Sequence, residues 1–203
     1  ASDNPVGNLY NFADATKVDT VTVDSMINTL KNGTLSAKLD VKPRFLESVT
    51  HDHLDKLLDL LPDADGIVKE TLILALEKIK SPESCPNLIE LLTDPYYNKL
   101  AAAAIGAIGC KEAEEKLFNI LLARSEKSYI ALVPLGKLNS VQSIDMIAEY
   151  LSHKYVWVRE MALEALGMIT DRKVIGFIES AANKDADTNI RAKAKKLLWR
   201  LKQ

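Results

Sequence analysis

Apolar residues recur along most of this chain with the spacing of amphipathic helices. Leu54, Leu57, Leu58 and Leu61 stand at i, i+3, i+4 and i+7, which is the spacing of one helix face, and Pro62 ends that helix. From residue 50 onward the pattern predicts five helix pairs. The predicted second helices of these pairs cover 68–79, 97–109, 129–139, 156–169 and 188–202.

A short phrase of small and apolar residues returns in each predicted second helix. Its middle residues are 77, 106, 136, 167 and 199, so the steps are 29, 30, 31 and 32 residues. A helical repeat near 30 residues is typical of an α-solenoid, in which helix pairs stack and bury a continuous core.

Glycine occupies the middle of the phrase in three consecutive copies, Gly106, Gly136 and Gly167. Glycine inside a helix costs about 1 kcal/mol relative to alanine, so a shared steric need is expected there. We predict that these glycines let neighbouring helices approach closely. Trp199 takes the same place in the last copy and would clash with a further repeat, so we expect the stack to end there.

The first 49 residues differ from the rest and form a separate predicted region. Residues 1–22 are rich in turn formers and β-branched residues, which predicts an irregular arm. A helix is predicted from Asp24 to Asn32, where Gly33 stops it. Pro43 is predicted to open a second helical segment. We therefore divide the chain into an arm with capping helices, 1–49, and a solenoid, 50–203.

One copy of the phrase lies within a longer segment that resembles a known repeat family. The segment 158–169, VREMALEALGMI, resembles the second helix of HEAT-like repeats, and its nearest type is the short form named after the phycobilisome lyases. The family's Asp-then-Arg feature at the turn within a repeat is present as Asp187 and Arg191, and Arg159 matches that arginine one pair earlier. The resemblance covers about 50–203 and implies a right-handed, all-α solenoid of about five helix pairs.

The resemblance also implies a function. HEAT-like solenoids are mainly scaffolds or adaptors that bind proteins, and a minority are enzymes or enzyme subunits, including lyases that attach bilins. No catalytic motif of those enzymes is present, so we predict a non-catalytic protein with no catalytic residue and no cofactor. A bilin-lyase-like enzyme or chaperone subunit is the enzymatic alternative.

The charge and hydrophobicity of the chain limit the classes of partner that we expect. The net charge of −2 gives no general attraction to nucleic acid, and no apolar run is long enough to span a bilayer. We expect protein partners, no membrane insertion and a cytoplasmic location. The sequence begins at Ala1 rather than methionine, which leaves export or organelle import open, and the oligomeric state is open as well.

The two cysteines, Cys85 and Cys110, fall near the starts of successive first helices. Two cysteines do not make a disulfide scaffold, so we expect free buried thiols, with a bridge as the alternative. His51 and His53 form the one metal-like group in the sequence. Residues at i and i+2 point to different sides of a helix, so we predict no metal site.

The last predicted helix carries six positive charges and no acidic residue from Ile190 to Gln203. A polar end cap is the preferred interpretation, because a solenoid needs a soluble end. Nucleic-acid or other anion binding is the alternative, and its candidate contacts are Arg191, Lys195 and Arg200.

Aromatic residues give the main functional hypothesis. Of six tyrosines and two tryptophans, five fall at the starts of three consecutive second helices. Because stacked helices lie about 8–10 Å apart, these rings are predicted to form one ridge that serves with the concave face to bind proteins. The predicted binding residues are Tyr96, Tyr97, Lys99, Tyr129, Tyr155, Trp157, Arg159 and Glu160.

Overall fold

A computed structural model describes residues 22–203, which form helices joined by short turns and contain no β-strand. Several helices begin or end in a 3₁₀ turn, such as Ser128–Ala131 before α8 and Tyr150–Ser152 after α9. The twelve helices of this region are α1 Val23–Asn32, α2 Leu35–Ser48, α3 Leu54–Leu60, α4 Gly66–Ile79, α5 Cys85–Glu90, α6 Asn98–Ile108, α7 Glu114–Leu122, α8 Leu132–Lys137, α9 Ile144–Glu149, α10 Val156–Leu166, α11 Lys173–Lys184 and α12 Thr188–Leu201.

The helices form two layers. The second helices α4, α6, α8, α10 and α12 pack against one another in series, and α2 lies against α4 at the start of the series. The first helices α3, α5, α7, α9 and α11 contact one another more sparsely. The layer of second helices is therefore the more closely spaced one, and it lines the concave face of the stack. The predicted α-solenoid is confirmed.

The repeated glycines bring these second helices together. A Cβ atom added to Gly136 would lie 2.7 Å from both Cα and the carbonyl oxygen of Ala165, and one added to Gly106 would lie 2.9 Å from Cα of Pro134. Both distances are shorter than any real Cβ contact. The steric need that the sequence predicted is thus a contact between a glycine and the backbone of the next second helix.

Replacing Gly136 with alanine tests this contact. We expect Gly136→Ala to lower the free energy of unfolding by about 2 kcal/mol, because the Ala165 backbone has to move. Gly176→Ala is the matched control. Gly176 lies inside α11 with no atom within 4 Å of an added Cβ, so the change should stabilise the protein by up to about 1 kcal/mol. Urea unfolding of both variants measures this, and equal effects of the two substitutions would contradict the account.

The first end of the stack differs from prediction in one respect. Residues 1–21 of the predicted arm lie outside the described residues, Thr22 is the N-cap of α1, and the helix predicted from Asp24 is present as α1. The prediction that Pro43 opens a helix is wrong, because Pro43 lies inside α2. That helix begins earlier, where the Thr34 hydroxyl accepts a hydrogen bond from the backbone N–H of Ala37, so Thr34 is the N-cap.

Lysines of one pair cap helix ends of a neighbouring pair. Lys78 donates to the carbonyls of Leu46 and Glu47 at the end of α2, at 2.5 and 2.6 Å, and Lys116 donates to the carbonyl of Ile89 at 2.8 Å. The last carbonyls of a helix lack partners within it and carry partial negative charge, so a cation there is stabilising. Lys78 and Lys116 therefore have a structural role.

The expectation of free thiols is wrong, because Cys85 and Cys110 form a disulfide. Stacking places the first residue of α5 beside the turn that precedes α7, with the two Cα atoms 5.6 Å apart, inside the range that a disulfide spans. At the next junction the corresponding residues are Glu114 and Ser140, and the Ser140 hydroxyl donates to the Glu114 carboxylate at 2.6 Å. The same position in the stack is thus joined covalently once and by a hydrogen bond once.

Reduction of this disulfide should destabilise the stack. The bridge joins residues 25 apart in sequence, and a loop of that size corresponds to about 3 kcal/mol of stabilisation. We expect dithiothreitol to lower the urea midpoint of the wild-type protein and to leave that of Cys85→Ala/Cys110→Ala unchanged. A wild-type midpoint that is indifferent to reductant, or thiols that react with a maleimide without prior reduction, would show that no bridge forms.

Candidate protein-binding surface

Five rings gather where α8 and α10 begin, and we call them the aromatic cluster: Tyr129, Tyr150, His153, Tyr155 and Trp157. Tyr129 meets Trp157 edge to face with ring centroids 4.7 Å apart, and Trp157 stacks on Tyr155 at 6.0 Å. His153 lies between Tyr155 and Tyr150, at 5.5 and 6.1 Å. The rings therefore form one continuous series across two helix pairs.

Local backbone structure sets the positions of these rings. Tyr129 lies on the 3₁₀ turn Ser128–Ala131, and Trp157 is the second residue of α10. Between α9 and α10 the backbone N–H of Tyr155 donates to Nδ1 of His153 at 3.2 Å, which fixes the turn. The Tyr150 hydroxyl donates to the carbonyl of Leu121 at 3.3 Å, and burial raises the pKa of Tyr150. The inner half of the cluster is thus held by hydrogen bonds.

The outer half of the cluster faces solvent. Tyr155 is 49% exposed and Trp157 is 46% exposed, and between them Val156 exposes 41% of its surface. Lys154 places its ammonium 4.8 Å from the centroid of the Tyr155 ring. Three large apolar side chains in sequence, backed by anchored rings and bordered by a cation, have the character of an interaction surface.

Tyr96 and Tyr97, the other two predicted aromatics, lie apart from this cluster. No ring contact within 22–203 joins them to Tyr129. The hydroxyl of Tyr97 accepts a hydrogen bond from the backbone N–H of Gly66 at 2.6 Å, so this ring ties the second pair to the first. Tyr96 is 86% exposed. The predicted ridge is therefore two groups of rings with different roles.

Arg159 is part of the framework instead of the exposed surface. Its guanidinium donates to both carboxylate oxygens of Asp185 at 2.9 Å and to the carbonyl of His153 at 3.1 Å. The side chain of Arg159 is only 12% exposed and that of Asp185 only 4% exposed. Arg191 donates to the carbonyls of Asp185 and Ala186 at 2.6 and 3.0 Å. The two arginines of the repeat motif thus meet at one turn and join the last two pairs.

The Arg159–Asp185 pair predicts an acid dependence of stability. The Arg159 guanidinium, and the backbone N–H of Asp187, hold the pKa of Asp185 below its ordinary value. A carboxyl whose folded-state pKa is lowered contributes its full stabilisation above its unfolded pKa, near 3.9, and loses it as the pH falls through the folded pKa. We expect Asp185→Asn to cost about 3 kcal/mol at pH 7, because a mostly buried guanidinium loses its counter-ion.

Asp145→Asn is the control for this prediction. Asp145 pairs with Lys173 at the surface, where both side chains are more than half exposed, so its loss should cost less than about 1 kcal/mol. Urea unfolding between pH 7 and pH 2 measures both variants. The stability of Asp185→Asn should fall less steeply below pH 4 than that of the wild-type protein. Indistinguishable profiles for the two variants would contradict the assignment.

Two of the four remaining predicted site residues, Glu160 and Arg200, have partners within the chain. Glu160 pairs with Lys193, and Arg200 donates to the carbonyl of Gly167 at 3.3 Å. Lys202 pairs with Glu179 at 2.7 Å. The side chains of Lys99 and Lys195 are exposed and make no hydrogen bond or ion pair to another residue of 22–203. The positive charge of α12 is thus largely used inside the fold.

His51 and His53, the metal-like group of the sequence, have different surroundings. His53 is held by Thr50, whose backbone N–H donates to Nδ1 of His53 at 3.2 Å, while His51 is exposed. Within the described part of the chain no three metal-binding side chains come together. In the same part, no helix has both the length and the apolar character needed to cross a membrane.

Sequence reasoning missed three members of the surface, Tyr150, His153 and Val156. His153 is half buried between two tyrosine rings. The signal was present: Tyr150, His153, Tyr155 and Trp157 fall within eight consecutive residues. What the spacing did not show is that the turn after α9 folds back and stacks them.

Comparison with known proteins supports the repeat architecture. A family model for HEAT repeats matches residues 46–109 and 115–199. Among solved structures, the complex of CpcE and CpcF of phycocyanin lyase from Nostoc sp. PCC7120 is similar, with a TM-score of 0.66 and 19% sequence identity over 97% of this chain and 82% of that chain. At that identity the likeness concerns the fold. A comparison with curated protein sequences finds no significant match.

Proposed function

Because this chain belongs to the HEAT-repeat family, we propose that it is a non-catalytic scaffold or adaptor that binds one or more proteins through the concave face and the aromatic cluster. The observation that carries the proposal is the exposed run of Tyr155, Val156 and Trp157 beside the second helices. Tyrosine and tryptophan bury a large area at low entropic cost and dominate the binding energy of many interfaces.

The hydrogen bonds and the ion pair that hold the aromatic cluster in place also support a role in protein binding. The Tyr150 hydroxyl and Nδ1 of His153 are hydrogen-bonded, and the neighbouring Arg159–Asp185 pair fixes the start of α10 against the last helix pair. A surface that is already rigid loses little entropy on binding, so more of the contact energy becomes affinity. The similar solved structure is described as a complex of two proteins, which fits a family whose members assemble with partners.

A subunit of a lyase-like enzyme is the second candidate. The specific observation in its favour is the likeness to a phycocyanin lyase complex over 97% of this chain. No catalytic grouping among the described residues supports it, so it rests on the shared fold. A coloured or other small molecule that co-purifies with the protein would favour it over a pure adaptor.

Nucleic-acid binding through α12 is a weaker candidate than the sequence indicated. Of its predicted contacts, Arg191 caps backbone carbonyls and Arg200 reaches the end of α10. Binding to phosphates would have to break these bonds or rely on Lys195 and its neighbour Lys196. We therefore favour protein partners.

The disulfide is relevant to the cellular compartment in which the protein functions. Stable disulfides form in oxidising compartments and are rare in the cytosol. The buried Cys85–Cys110 bridge thus favours an oxidising compartment over the cytoplasmic location predicted from sequence. We propose that the protein and its partner meet in such a compartment.

Affinity capture tests the proposed function. Wild-type protein, Tyr155→Ala/Trp157→Ala and Val141→Ala would each be used as bait in native lysate of the source cells. Val141 is the matched control, because it is 47% exposed and lies at the start of a first helix, away from the cluster. Circular dichroism would confirm that all three baits are folded.

We expect one or a few proteins in stoichiometric amount with the wild type and Val141→Ala, and at least about tenfold less with the double variant, since loss of an aromatic anchor costs about 2 kcal/mol or more. Partners retained by the double variant would show that the cluster is not the docking surface. No protein partner at all, together with a bound small molecule, would favour the lyase-like candidate.

A further inference from the structure

A slot of about 510 Å³ opens between α10 and α12 at the last helix pair. Its floor is apolar and is formed by Leu163, Met168 and Leu197, and Trp199 stands at its end with 69% of its surface exposed. Volumes of this size are typical of sites that take several apolar groups. The slot lies on the concave side, among the second helices.

The cause of the slot is a change at the repeated glycine contact. Gly106 and Gly136 each meet backbone atoms of the next second helix, whereas a Cβ on Gly167 would meet side-chain atoms of Leu197 at 2.6 and 2.7 Å. A leucine side chain thus stands where the earlier pairs have a backbone contact. α12 packs less extensively against α10 than α10 packs against α8, and the slot lies between α10 and α12.

The two rims of the slot carry opposite charges. Glu160 and Glu164 line it on α10, and Lys193, Lys196 and Arg200 line it on α12. Glu160 pairs with Lys193 at one end. Glu164 and Lys196 occupy equivalent positions of successive repeats, but no ion pair joins them in the described structure, because the slot separates their helices.

We propose that this slot binds an amphipathic α-helix of a partner protein, with apolar side chains on the floor, a basic flank beside Glu164 and an acidic flank beside Lys196 and Arg200. A helix lying between two helices completes the packing that Leu197 prevents, in the manner of a helix in a groove. The unpaired charges on opposite rims then each gain a partner, as flanking charges do in coiled coils.

This site is separate from the aromatic cluster and needs no residue of it. It goes beyond the proposed function because it names a second contact and the kind of segment that fills it. The two tryptophans of the chain fall one at each site, Trp157 in the cluster and Trp199 at the slot, so one measurement can tell the sites apart.

The probe is a synthetic helical peptide of about 16 residues with a leucine stripe, lysines on one flank and glutamates on the other. It would be titrated into ¹⁵N-labelled protein at low ionic strength, and the two tryptophan indole N–H signals followed by NMR, assigned with Trp199→Phe. We expect the Trp199 signal to shift on binding and the Trp157 signal to stay. A peptide with serines in place of leucines should leave both signals unchanged.

Two sets of variants locate the binding. Leu197→Ala removes the spacer, so α12 should close on α10 and the peptide should bind at least about tenfold more weakly. Leu198→Ala is the matched control, since Leu198 does not line the slot. Lys196→Glu should also weaken binding about tenfold, and Glu164→Lys/Lys196→Glu should restore it, because a helix can lie in the exchanged slot in the opposite direction.

Each result has a defined meaning. A shift of Trp157 in place of Trp199 would place the peptide on the aromatic cluster and overturn the slot proposal while leaving the proposed function intact. Equal binding by wild type and Lys196→Glu would overturn the charge assignment, and this surface change leaves the fold intact even if Leu197→Ala does not. No binding of the peptide at all would refute the slot as a helix site.

Discussion

The second helices α6, α8 and α10 touch through a glycine in one and the backbone of the next, and much of the structure follows from this contact. Gly106 and Gly136 meet the backbone of Pro134 and Ala165 at distances that leave no room for a Cβ atom. The second helices are therefore drawn together while the first helices remain more widely spaced. This difference between the layers makes the second helices the concave face, and the exposed side chains of that face are the ones available to a partner.

The junctions between helix pairs have the same geometry but are joined by different kinds of interaction. The position that carries the Cys85–Cys110 disulfide carries the Glu114–Ser140 hydrogen bond one pair later. The turn before the last second helix is held by Arg159 and Asp185, a pair that the earlier repeats lack because their matching residues are Lys69, Asn98 and Ser128. Where the glycine meets a side chain instead of backbone, at Leu197, the two helices pack less extensively. Variation at a fixed position thus changes the local interaction without altering the fold.

The sequence predicted the elements well because they depend on periodic patterns. The spacing of apolar residues and of the repeated phrase placed all five helix pairs. Gly106 and Gly136 indicated the close contact correctly, whereas Gly167 meets the side chain of Leu197. The prediction at Pro43 is wrong because the Thr34 cap, nine residues earlier, already begins the helix in which Pro43 lies. The disulfide, the Arg159–Asp185 pair and the stacking of His153 depend on which residues of different pairs become neighbours. A single sequence does not give the distances between residues of different helix pairs. For the same reason it did not show that Tyr97 lies apart from the aromatic cluster.

The central claim is that the second helices form the closer, inner layer, and distances between spin labels test it most directly. Ala103 and Glu164 are exposed at equivalent positions of α6 and α10, and Glu90 and Glu149 are exposed at equivalent positions of α5 and α9. Each pair of positions lies two repeats apart, and the native cysteines are bonded to each other, so labels attach to introduced cysteines only. Electron–electron double resonance should give a shorter distance for Ala103→Cys/Glu164→Cys than for Glu90→Cys/Glu149→Cys. An equal or longer distance between the second-helix labels would contradict the account.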